Sequence, residues 1–181
     1  MEAADVEPAL SACPMFIAHL PAGYMMARLL ARRARLRGRA GVRFLWAGAI
    51  GAIAPDFDLA YFYLVDDRQH HHHSYVTHYP VIWVAAMLVC ACWWRMGRMR
   101  PWAALAGVFA LGGLTHMVLD SVVGDIAWLA PYSDEYFALF HVEAMFKPWW
   151  LNFILHWSFA LELVLVALAV YAWRRDHARY W

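Results

Sequence analysis

Charge is scarce in this sequence. Asp, Glu, Lys and Arg make up 16% of its 181 residues, while 64% are hydrophobic. Soluble domains average about 25% charged and about 45–50% apolar, so a water-facing surface is excluded for most of the chain. Cysteine is scarce too. Cys13, Cys90 and Cys92 are odd in number, and the last two stand two apart on an expected helix, pointing to different sides. Neither a disulfide framework nor a thiolate metal site is expected, and the three are read as small apolar packing residues. No internal repeat and no soluble domain can be discerned. The N-terminus carries Glu2, Asp5 and Glu7 and lacks the positive region of a cleaved signal peptide.

What the chain has instead is long apolar runs. A bilayer crossing needs about 20 mostly apolar residues. Segments of roughly 10–31, 44–65, 79–96, 101–123 and 149–173 meet or approach that need, the first being the weakest because His19 and Pro21 interrupt it. The expected fold is therefore all-α: a polytopic membrane bundle of four to five transmembrane helices, with residues 1–181 as one integral membrane domain. Eleven tryptophans and nine tyrosines fit this, since amphipathic rings gather at membrane interfaces.

Basic residues orient the bundle, because cytoplasmic loops collect Lys and Arg. Seven arginines lie between Arg28 and Arg43, three in 95–100 and three after residue 173, thirteen of the fifteen basic residues in all. Those segments alternate correctly for one side. Arg68 and Lys147 fall in the opposite loops, 66–78 and 124–148. The expectation is an inner membrane protein with its N-terminus out and its C-terminus in. The arginine run is read as topology plus contact with anionic lipid, and no nucleic-acid partner is expected.

Ionisable groups inside a membrane cost about 2.5–3.5 kcal/mol each on insertion scales, and their default reading is functional. Here they gather at one depth. "HHHHSYVTH", residues 70–78, puts five histidines into nine residues of an outer loop. His19, Asp56, Asp58, His116 and His156 all fall in the outer parts of their segments. His116 and Asp120 are four apart in "HMVLD", so they share a helix face one turn apart. Pro55 in "APDFD" breaks the helix, letting Asp56 and Asp58 aim into one cavity. Imidazole and carboxylate without thiolate suit a divalent transition metal, with the nitrogen donors favouring zinc. The candidate ligands are His19, Asp56, Asp58, His73, His78, His116 and Asp120, more than one tetrahedral site needs. A second ion would use the surplus, and two-metal sites commonly cleave phosphoesters. Sequence alone leaves open which of His71, His72 and His73 ligates, and what His141, His156 and Glu162 do. His70 is read as a solvated loop residue.

These motifs, in this order, resemble the membrane-bound metal-dependent hydrolases of the YdjM type. In that family an early His, "PDxD", "HRGxTHS" and "HxxLD" recur. Here they fall on His19, on Asp56 with Asp58, on His73 with Thr77 and His78, and on His116 with Asp120; "APYS" at 130–133 resembles the family's later "PFS". The match spans roughly residues 15–140. "HRG" reads His73-Ser74-Tyr75, so a substrate phosphate would need another cation, with Arg68 and Lys147 as candidates and Thr77 beside them. The resemblance implies hydrolysis. The expected reaction is metal-assisted cleavage of a phosphoester in a lipid or lipid-linked substrate at the outer face, with Asp58 and Asp120 as catalytic carboxylates and Asp58 as general base. Two rivals belong to other classes. A haem-binding electron carrier would use His116 and His156 as axial ligands. A metal-ion transporter would need a polar path through the inner half of the bundle, where Glu162 stands.

Overall fold

In a computed structural model the chain is described over residues 17–97, 99–142, 145–146 and 149–180. Cys13, the acidic N-terminal residues, the start of the first expected span and Lys147 lie outside these. Seven α-helices occur among the described residues: α1 His19–Arg33, α2 Gly38–Gly51, α3 Leu59–Leu64, α4 Pro80–Arg95, α5 Arg100–Val123, α6 Trp149–Ile154 and α7 Trp157–Tyr180. Short 3-10 turns at Pro55–Asp58, His72–Ser74 and Val76–His78 fill the connections. Beyond one isolated bridge, Ile126 to Phe137, no strand pairing is present among the described residues.

Two expected spans are broken. The run 44–65 divides at Pro55, as its missing amide requires, into α2, a 3-10 turn and α3. The run 149–173 divides at 155–156 into α6 and α7. Two helices are long and apolar enough to cross a bilayer, Arg100–Val123 and Trp157–His177, and Pro80–Arg95 is a shorter apolar helix.

Helix α5 is the hub, packing against α4, α2 and α1. Small side chains let the backbones approach closely, which is how helices associate where no hydrophobic drive separates them from lipid. A Cβ on Gly112 would lie 2.5 Å from the Gly48 carbonyl oxygen and 2.7 Å from the Ala52 nitrogen. No larger residue fits there. That contact holds the C-terminal end of α2 against the middle of α5 and so fixes the Ala52 carbonyl beside His116. Outward faces are apolar: Leu88 and Val89 on α4 and Leu163 and Val164 on α7 are exposed. Cys92 is exposed as well and Cys90 half-buried, so Cys92 is not the packing residue its sequence context implies.

Helix α1 is tied to α7 at both ends. The Ile17 and Ala18 amides donate to Glu162 Oε2 at 2.7 and 3.1 Å. At the far end Arg28 and Arg32 pair with the buried Asp176, the Arg32 Nη2 contact being 2.7 Å, and the Tyr24 hydroxyl donates to it at 3.3 Å. Glu162→Ala is expected to destabilise the folded chain by about 1–3 kcal/mol, the cost of stranding buried amides. Thermal unfolding in detergent, with Glu162→Gln as the milder comparison, measures it.

Candidate metal centre

Four separate segments deliver the site. His19 is the first residue of α1, Asp56 and Asp58 come from the Pro55 turn, His73 and His78 from the two loop turns, and His116 and Asp120 from one face of α5. The structure brings all seven sequence candidates together, and His72 joins them. His19, His73, His78, His116 and Asp120 are at most 1% exposed.

Asp120 stands at the bottom. Its Oδ1 lies 3.0 Å from His19 Nε2, and its Oδ2 lies 2.9 Å from His116 Nε2 and 3.5 Å from His73 Nε2. Asp56 stands above it. Its Oδ1 lies 3.3 Å from His72 Nε2, 3.5 Å from His116 Nε2 and 3.7 Å from His78 Nε2. Asp58 lies alongside, with Oδ2 accepting from Thr77 Oγ1 and 2.8 Å from His78 Nδ1.

The tautomers follow from the outer contacts. His116 Nδ1 faces the Ala52 carbonyl oxygen at 2.8 Å and His73 Nδ1 the Asp125 carbonyl oxygen at 3.0 Å, so each Nδ1 carries the proton and donates it. His78 Nδ1 is held by Asp58 in the same manner. All three rings therefore turn Nε2 inward, and those three Nε2 atoms, with both oxygens of Asp120, are buried without a hydrogen-bond partner. Buried polar atoms are nearly always satisfied. Imidazoles anchored through one nitrogen and bare at the other are what metal ligation uses. Four donors at 2.0–2.1 Å from one ion stand about 3.3 Å apart, the range seen here. Three groups could hold an ion: His19, His116 and Asp120; Asp56, His78 and His116; His72, His73 and His78.

Close approach of His73 depends on a missing side chain. A Cβ on Gly124 would lie 2.9 Å from His73 Cε1, so only glycine leaves room for the ring. Electrostatics separate the two loop histidines. Burial pushes the His73 imidazole down to about 3. At His78 burial also lowers, but hydrogen bonding to Asp56 and Asp58 outweighs it and raises the ring to about 9.

Residues 15–178 match the family described as YdjM inner membrane protein. The chain belongs to that family. No curated protein and no solved structure matches it. In this YdjM-family chain the motif residues and the convergent donors coincide.

Other sequence candidates are not brought in. Arg68 is exposed on its loop and, among the described residues, makes no ion pair. Lys147 lies outside the described residues. His156 Nδ1 pairs with Ser158 Oγ at 2.8 Å, and His116 Nε2 faces Asp120 and Asp56. Glu162 holds the start of α1. His141 is 81% exposed, and His70 pairs with Asp66 at the surface. Thr77 serves Asp58 rather than open space. His72 is the addition: the histidine run contains it, but only the fold separates it from His70 and His71, because the turn at 72–74 carries its ring over Asp56.

Proposed function

We propose that this chain is a membrane-embedded metal-dependent hydrolase that cleaves a phosphoester of a lipid or lipid-linked substrate. The observation that carries this is the convergence of bare, buried Nε2 and carboxylate atoms from four segments onto one point. Four to five helices cross the inner membrane, with the N-terminus out and the C-terminus in, and the site opens on the non-cytoplasmic side. The arginine-rich turns between α1 and α2 and between α4 and α5 support that sidedness.

Bound among these donors, one or two zinc-like ions would lower the pKa of water and polarise a phosphoryl oxygen. The protein's part is distinct. Asp120, fully buried, fixes His19, His73 and His116 in one arrangement. Thr77 and His78 hold Asp58 through Oδ2, and its Oδ1, beside His72 Nδ1, would receive the proton of the attacking water. An apolar cleft between α1, α2 and α7, lined by Leu20, Tyr24, Trp46 and Trp173 and starting one residue from His19, suits hydrocarbon.

The wild-type protein should copurify with about two transition-metal ions, and His116→Ala with at least one fewer. Elemental analysis of folded samples decides it. Metal-free, folded wild-type protein would remove the proposal. Hydrolysis of lipid phosphoesters, with the metal-depleted protein as control, identifies the substrate.

A further inference from the structure

The eight polar side chains at this site are not one shell. Seven of them sort into two sets by contact, with Asp58 beside His72 and His78. The inner set is Asp120 with His19, His73 and His116, all at most 1% exposed and each imidazole within 3.5 Å of the same carboxylate. The outer set is Asp56 with His72 and His78, where Asp56 is 19% and His72 12% exposed and His78 is fully buried. His116 Nε2 reaches both carboxylates but is closer to Asp120, at 2.9 Å against 3.5 Å.

His72 is held the opposite way from His73, His78 and His116: its Nε2 is hydrogen-bonded to Asp56 and its Nδ1 is the nitrogen left without a hydrogen bond. Its Nε2 lies 3.3 Å from Asp56 Oδ1, and its Nδ1 lies 3.3 Å from Asp58 Oδ1. The ring is held across two carboxylates, and the Nδ1 and the Asp58 Oδ1 are both buried without a hydrogen-bond partner. A solvated loop histidine has no such setting. Its nearest rings are His78 at 4.5 Å and His73 at 5.0 Å between centroids.

Resting on the hydrolase reading above, we propose that His72 is a ligand of a second, outer metal ion, held by Asp56, His72 and His78, and that the two ions differ in kind. Four protein donors close the inner locus. Three protein donors leave the outer one an open position, and that difference separates structural from catalytic sites. An ion held by the outer three would be open to substrate and exchange, and one held by the inner four would be retained.

The test uses the full-length chain in detergent, loaded with Zn2+ and desalted, with ions counted by native mass spectrometry. Wild type should hold two ions and His72→Ala one, with His72→Gln as a second variant should the alanine protein fold poorly. A competing chelator should strip the wild type in two phases and His72→Ala only in the slow one. Two ions retained in folded His72→Ala overturn the assignment, and so does a single ion in wild type; both leave the hydrolase reading standing. Wild type with no ion removes both.

Discussion

Asp120→Asn should cost at least one bound ion and, by loosening the three imidazoles that Asp120 holds, reduce hydrolysis by roughly a thousandfold, about 4 kcal/mol in the barrier. The substitution preserves shape while removing the charge and replacing one acceptor oxygen by a donor NH2. In the native chain one carboxylate faces three imidazole nitrogens within 3.5 Å. An amide in its place offers a single neutral oxygen and an NH2 group that would point donors at ring nitrogens meant to carry lone pairs. Metal content by elemental analysis, paired with helix content by circular dichroism, separates loss of ligation from loss of fold. A folded variant that keeps its full complement of ions would show that Asp120 is not a ligand.

Chelation should have the second large effect, and it should be reversible. Removing the ions leaves five histidines and three carboxylates crowded in a buried space. An ion present at a thousandfold above its dissociation constant stabilises the folded state by about 4 kcal/mol, so the stripped protein should melt markedly lower and recover on adding Zn2+. The direction with pH follows from His78. Raised to about 9, its ring is protonated at neutral pH without metal, and that proton must leave when an ion binds. Reloading should therefore release protons and tighten as pH rises toward 9. The ring at about 3, His73, has no proton to lose in that range. Calorimetry in buffers of different ionisation enthalpy reads the proton count. Unchanged melting after complete metal removal would argue against a site built around ions.

The legible part of the site was the part with local signatures. His116 and Asp120 share a face because four residues make about one helical turn, and Pro55 announced the break that turns Asp56 and Asp58 inward. Composition likewise gave an all-helical chain. Two things were hidden. Which of the loop histidines would face Asp56 depends on a 3-10 turn at 72–74, and runs of identical residues carry no periodicity to read. Glu162 was hidden for a related reason: its partners are main-chain amides at Ile17 and Ala18, which every sequence has. The same holds for Gly124, whose importance arises from where His73 comes to rest and not from its own neighbours.

The double attachment of α1 to α7 bears on biosynthesis. His19 gains its final position only when Glu162 and Asp176, more than a hundred residues downstream, have been translated. A nascent chain lacking the last helix would present His73, His78, His116 and Asp120 with one imidazole unanchored. Ion capture at the group formed by His19, His116 and Asp120 would therefore follow the docking of α7.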